Sequence, residues 1–219
     1  KSLNSSTSPL ISTEDIAKTL ESALEQTNAY INRMVQVNNW NKAGSTIVVA
    51  VIYDKSAVIT NLGDSPSYHF HSATKELKQL TEDHSITGIL LKAKEISPEM
   101  ARVHSGRSQL QYFLGAERLP KKLPIATIDL AENDILLLCS DGINGKLELE
   151  QIAKILKTKN KLAKKADLLI TEALKEEETD NQTLILWQYQ SDKMKKIVRK
   201  KAIQAKHPKP RKKSKRSKR

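Results

Sequence analysis

The chain is predicted to fold as an α+β layered domain carrying a basic tail. Three observations support this. β-branched and apolar runs between residues 46 and 80 read as successive strands. Stretches with apolar residues at helical spacing flank them, at 12–39, 148–157 and 162–174. A last apolar run at 183–189 returns as a strand after those helices, and strands followed by helices and a returning strand suit α+β layers better than alternating βα units.

Taken in order, residues 1–11 are rich in Ser, Thr and Asn and read as a flexible loop. Ser12 with Asp15 resembles a capping box. The stripe Ile16, Leu20, Leu24, Ile31, Val35 then follows mostly helical spacing, interrupted at Thr27, with an end expected near Asn38-Asn39. Thr46 to Tyr53 reads as a strand buried on both faces, and Asp54-Lys55 as a hairpin turn into a second strand, Ser56 to Leu62. Gly63-Asp64-Ser65-Pro66 stops that strand. Tyr68 to His71 and Leu77 to Leu80 read as third and fourth strands, so the stretch is expected to be an antiparallel meander. Ile86 to Lys94 is expected to be helical, and Ser97-Pro98-Glu99 opens a short helix with Pro at its first position. Pro120 and Pro124 break the chain. Ile135 to Ser140 is expected to be a buried strand, 148–157 and 162–174 amphipathic helices, and 183–189 the final strand. No internal repeat is seen.

With 219 residues the chain is long enough for one domain with a real core. It has no apolar run of 18 or more, so no membrane-spanning helix is expected, and no basic-then-apolar leader. It begins at Lys1 rather than Met, which reads as a processed, trimmed or partial product. The single cysteine, Cys139, lies in an apolar run and is expected to be a buried structural thiol. One cysteine allows no intrachain disulfide, in keeping with a reducing compartment. The net charge of +12 is local: residues 191–219 hold 15 Lys/Arg and one acidic residue, whereas 1–190 hold 22 basic and 24 acidic ones. Three parts are therefore expected: 1–11, a domain over 12–190, and a basic disordered tail over 191–219.

Two aspartates carry most of the functional signal. Asp141 follows the run Leu136-Leu137-Leu138-Cys139-Ser140 and precedes Gly142, and Asp180 in Thr179-Asp180-Asn181-Gln182-Thr183 precedes the run Leu184 to Trp187. Each looks like a carboxylate held at the end of a buried strand. A hard divalent cation needs several fixed oxygen ligands, and two such carboxylates could meet over one metal site. Plain turn chemistry is the other reading of each motif. His84 and His104 read as structural or flap residues, Trp40 and Trp187 as packing residues, and Arg107 as a phosphate or flap-backbone binder or a surface residue.

The ordered set of short segments says more than any one of them. Gly44-Ser45-Thr46, Asn61-Leu62-Gly63-Asp64-Ser65, Leu80-Thr81-Glu82-Asp83-His84-Ser85, Arg102-Val103-His104-Ser105-Gly106-Arg107 before Leu114-Gly115, Leu138-Cys139-Ser140-Asp141-Gly142 and Asp180-Asn181-Gln182-Thr183 follow one another. Their order and spacing resemble the metal-dependent protein phosphatases, the PPM or type 2C family, in their compact bacterial form, over about residues 12–190. The resemblance implies a four-layer αββα sandwich of two antiparallel sheets flanked by helix pairs. It implies hydrolysis of phosphoserine and phosphothreonine on proteins by two Mn²⁺ or Mg²⁺ ions, with a third, weaker metal site. By the same resemblance Asp141 and Asp180 bind the paired metals and Asp83 helps bind the third. Residues 84–116 match the mobile flap beside the site, which carries His104 and Arg107, and Gly63-Asp64 shape a strand end.

The sequence also departs from that pattern. The family's Asp-Gly-x-Gly-Gly block and its earlier phosphate-binding Arg are absent, so the first strands are expected to be missing and the chain by itself to be nearly inactive. Pro66 stands where Arg is usual, Ser105-Gly106 where Pro-Gln is common, and Glu176-Glu177-Glu178 replaces a Gly-rich approach to Asp180. Expected partners are phosphorylated proteins and, through the tail, nucleic acid or another polyanion such as an acidic protein or an anionic membrane surface. The alternative function is therefore a catalytically inactive, phosphatase-like binding module docked by its tail. A monomer in the cytoplasm is expected, with secretion into a host cell or nuclear targeting by the tail left open.

Overall fold

The computed structural model describes residues 11–175 and 181–191. The expected loop at 1–11 (Ile11 apart), Asp180, and the tail beyond Ser191 lie outside the described residues. The elements run α1 (Thr13–Val37), β1 (Ile47–Tyr53), β2 (Ser56–Leu62), β3 (Ser67–Phe70), β4 (Leu77–Gln79), α2 (Ile86–Lys92), α3 (Pro98–Val103), β5 (Ile125–Asp129), β6 (Ile135–Cys139), α4 (Asp141–Asn144), α5 (Leu149–Lys157), α6 (Leu162–Lys175) and β7 (Leu184–Gln188).

Local chemistry explains most boundaries. Ser12 Oγ accepts the Asp15 amide at 3.1 Å while Asp15 Oδ2 accepts the Ser12 amide at 3.1 Å, the reciprocal cap expected for α1. Thr27 interrupts the apolar stripe because the next residue, Asn28, takes the buried position between Leu24 and Ile31. β1 and β2 form a hairpin through Asp54-Lys55, with Tyr53 opposite Ser56 and Asp54 at φ 51°. Ser97 caps α3 and Pro98 stands in its first turn.

Two antiparallel sheets result, ordered β1-β2-β5 and β4-β3-β6-β7. The expected meander is thus split. Gly63 to Pro66 carries the chain from one sheet to the other, so β3 pairs with β4 and β6 rather than with β2. β1 is an edge strand whose residues are half-buried, not enclosed on both faces. β5 was not foreseen, although Ile125-Ala126-Thr127-Ile128 bounded by Pro124 has strand chemistry; it pairs with the open edge of β2. The short α4 was not foreseen either. Trp40 is 52% exposed and does not pack as expected, whereas Trp187 joins the inter-sheet core.

The alternation along β6 shows the layering. Ile135, Leu137 and Cys139 face α5 and α6, packing with Ile152, Leu156 and Leu169. Leu136 and Leu138 face the other sheet, meeting Ala57, Ile59 and Ile128. Leu62 faces outward beneath Leu24 and Ile31 of α1. The layers are therefore α1, sheet, sheet, α5/α6. Burial pushes the Cys139 thiol up to about 12, with the Asp141 charge adding to it, so it is an inert core group.

Candidate active site

One end of both sheets gathers the singled-out residues. β2 ends there, β3 begins, β4 and β6 end, and β7 begins. The loops that follow or precede those strand ends carry Asp64, Asp83, Asp141 and Asn181.

Asp141 opens α4 directly beyond β6 and is exposed. The preceding Ser140 does not cap α4 with its side chain. Its Oγ donates instead to the Asn181 carbonyl at 3.2 Å and accepts the Thr183 amide at 3.1 Å, while its amide donates to the Thr183 carbonyl at 3.0 Å. Gly142 completes the junction: a Cβ there would sit 2.8 Å from the Asn181 carbonyl oxygen. Ser140 and Gly142 therefore hold the 181–183 approach against the strand end that presents Asp141. Asp180 is the immediate neighbour of that clamped backbone, and its own position lies outside the described residues.

Asp83 lies beyond β4, two strands over from Asp141. Strand spacing puts the two loops about 10 Å apart. Asp83 Oδ1 accepts the Ser85 amide at 2.7 Å, and Gly88 of α2 packs so close that a Cβ would stand 2.6 Å from Asp83 Cγ. The carboxylate is thus aimed by the start of α2. Next to it, His84 is buried and its Nδ1 accepts the Gly63 amide at 3.2 Å. Burial holds its pKa below the ordinary imidazole range. A cleft of about 280 Å³ opens beside Asp83 and His84, bounded by Lys92, Tyr112 and Lys122.

His104 and Arg107 sit apart, in the turn after α3. His104 Nδ1 accepts the Gly106 amide at 2.9 Å, and the Arg107 amide donates to the His104 carbonyl at 3.2 Å. Gly106 is packed by Ile86, so this turn lies over the start of α2 and hence near Asp83.

Metal capacity can be tested on the residues described. No group of three or more His, Cys, Asp or Glu that could hold a metal ion occurs among them. Yet several buried polar atoms at this end have no hydrogen-bond partner among the described residues: Asn61 Oδ1, Ser67 Oγ, Asn144 Oδ1 and the Gln182 amide. Such atoms suit ordered water, with Asn61 Oδ1, Ser67 Oγ, Asn144 Oδ1 and Gln182 Oε1 as acceptors and Gln182 Nε2 as a donor, at the end of the sheets that presents the exposed Asp141, and a hydrated cation would bring such water. His84 takes the structural role read for it, through its buried bond to the Gly63 amide. Asn61 was missed as an organiser of this end; the signal available was an amide on the face of β2 that Ala57 and Ile59 bury.

The family model for Protein phosphatase 2C matches residues 2–90. A serine/threonine phosphatase, stp, of Listeria welshimeri is 36% identical over 183 residues, spanning 82% of this chain and 71% of that protein. The chain belongs to the protein phosphatase 2C family. The crystal structure of serine/threonine phosphatase Stp1 from Staphylococcus aureus superposes with a TM-score of 0.75 at 28% identity, covering 84% of this chain and 72% of that one. The catalytic domain of PstP, solved in complex with two manganese ions, shares the fold with a TM-score of 0.67 at 24% identity, over 78% of this chain and 70% of that one. Membership in the protein phosphatase 2C family accounts for the two stacked antiparallel sheets. Among the described residues no helix is long and apolar enough to cross a membrane.

Proposed function

We propose that the natural protein to which this chain belongs removes phosphate from phosphoserine and phosphothreonine residues of proteins with the help of a binuclear Mn²⁺ or Mg²⁺ centre, the chain by itself, without the Asp-Gly-x-Gly-Gly block, being nearly inactive. The observation that carries the reading is the Ser140–Gly142 clamp, which seats the Asp141 strand end against the backbone next to Asp180. Asp141 and Asp180 are the metal-binding carboxylates in this reading, and Asp83 serves a third, weaker site. When bound, the paired ions supply a water made acidic for attack on phosphorus and offset charge on the phosphoryl oxygens.

The chain's own contributions follow from its geometry. Ser140 and Gly142 fix the spacing of the two carboxylate-bearing loops. Ser85 and Gly88 aim Asp83. Asn61, Ser67 and Gln182 offer buried polar atoms to ordered water. Arg107, in the flap turn near Asp83, presents a guanidinium whose fork matches phosphate oxygens, and His104 shapes that turn. Phosphoproteins are the proposed substrates of a monomeric, cytoplasmic enzyme.

The test is phosphate release from a phosphothreonine peptide by the natural protein. Release should require Mn²⁺ and stop with EDTA. Asp141→Asn should slow it at least about 100-fold, because electrostatic support of the reacting centre is lost. A rate indifferent to both EDTA and Asp141→Asn would overturn the assignment.

A second reading has its own observation. The 191–219 segment holds 15 of the 37 Lys/Arg, while the remainder is nearly neutral. In this reading the domain is a phosphatase-like module that the tail docks on nucleic acid or another polyanion.

A further inference from the structure

Residues 84–116 leave the sheet end and return to it, and each root is tied by a buried polar side chain. At the leading root, His84 is 4% exposed. Its Nδ1 accepts the Gly63 amide, and its own amide donates to the Gly63 carbonyl at 3.1 Å. Asn61 Nδ2 donates to that same carbonyl at 3.1 Å and to the Glu82 carbonyl at 2.7 Å. At the trailing root, Asn28 of α1 is 8% exposed. Its Oδ1 accepts the Gly115 amide at 2.7 Å and its Nδ2 donates to the Ala116 carbonyl at 3.1 Å, where Asn32 Nδ2 adds a bond at 3.0 Å.

A leucine at position 28 would continue the apolar stripe of α1 without desolvating an amide. A buried amide is tolerated only when its hydrogen bonds are made, and removing one partner strands the other. Asn28 and His84 therefore act as clasps on backbone that belongs to neither α1 nor β2. The two roots also close on each other: the Gln111 amide donates to the His84 carbonyl at 2.9 Å and the Ile86 amide to the Gln109 carbonyl at 2.9 Å. Beyond this double lock the segment is far less held. Val103 and Met100 of α3 are 85% and 55% exposed, and the His104 ring bonds within its own turn. Among the described side chains of 93–108 only Ala101 adds a hydrophobic side chain to the core, and so little buried apolar area marks a segment that opens at low cost.

We propose that His84 and Asn28 are positioning residues that clamp the two roots of the 84–116 flap, confining its opening to residues 93–108 and keeping the Asp83 loop fixed to the sheet end. The proposal rests on the reading of 84–116 as the flap beside the site.

Amide hydrogen exchange on the full chain, without metal or substrate, tests it. In the unmodified protein, 93–108 should exchange faster than both 81–92 and 109–116. His84→Leu, which deletes the acceptor, should speed exchange of 81–92 at least about tenfold and leave α5 and α6 unchanged. His84→Asn, which keeps an acceptor near the Nδ1 position, should restore most of the protection. Asn28→Ala should act in the same way on 109–116. The proposal fails if the roots of the unmodified protein exchange as fast as 93–108, or if His84→Leu changes 81–92 no more than the rest of the chain. It also fails if His84→Asn behaves like His84→Leu. Because the readout needs neither Mn²⁺ nor phosphopeptide, failure of the phosphatase reading leaves this result standing, and the reverse holds too.

Discussion

Asp134 shows how one buried carboxylate can hold several turns together. It is fully buried at the end of the second sheet away from Asp141, where its oxygens accept the Ser72 amide at 2.7 Å and the Ala131 amide at 3.0 Å, and meet His69 Nε2 at 2.9 Å. Burial alone would raise its pKa, but the Ser72 and Ala131 amides and the His69 partner outweigh that and hold it below the usual carboxylate range. A depressed folded-state pKa stabilises the fold above the unfolded value, about 3.9, and that stability fades as pH falls through the folded value. Asp134→Asn should therefore lower unfolding stability by about 3 kcal/mol at pH 7 in urea titrations, and the gap to the unmodified protein should narrow below about pH 4. A gap constant from pH 7 to pH 3 would contradict this account. Nothing in the sequence marks Asp134 as different from the neighbouring acid Glu132; the turn that surrounds it does.

At the scale of elements, the strands of the second sheet differ in worth according to what covers them. Leu137 of β6 is wholly buried between β3 and β7 and under α5 and α6, whereas Ile185 of the edge strand β7 is 60% exposed. Leu137→Ala should cost about 2–5 kcal/mol, as lost transfer energy plus an unfilled cavity, while Ile185→Ala should cost well under 1 kcal/mol. Thermal unfolding of the two variants checks the contrast. Both residues lie in apolar runs, so the run predicts a strand without saying which residues are central. Caps and turns were legible because they are local: Ser12 with Asp15, Pro98 after Ser97, and Asp54-Lys55 each act within four residues. The missed elements were short. β5 follows two prolines and has five residues, too few for its alternation to stand out, and its strand state depends on the edge of β2.

For the whole molecule, excess charge and candidate chemistry lie in different stretches of the sequence. β7 runs from the Asp141 end towards the Asp134 end, where the Tyr189 amide donates to the Asp134 carbonyl at 2.9 Å and the Ser191 amide to Glu132 Oε2 at 3.0 Å. Ser191 is the last described residue before the basic run. Deleting residues 192–219 should abolish retention on heparin or DNA and leave the circular dichroism spectrum and thermal midpoint unchanged. Retention by the intact chain should fall steeply with salt, through counterion release, and show little base preference. Equal DNA affinity with and without those residues would remove the support for the docking reading. Sequence by itself determined the order of motifs, the strand end that presents Asp141, the caps and the charge-segregated tail, since each is written in residues near one another along the chain. Only the tertiary structure decided that the strands divide into two sheets at Gly63 and that Ser140 holds the approach to Asp180. It alone showed that Asn28, Asn61 and His84 tie the roots of 84–116, because those bonds join residues separated by up to 88 positions and no local pattern encodes such a partner.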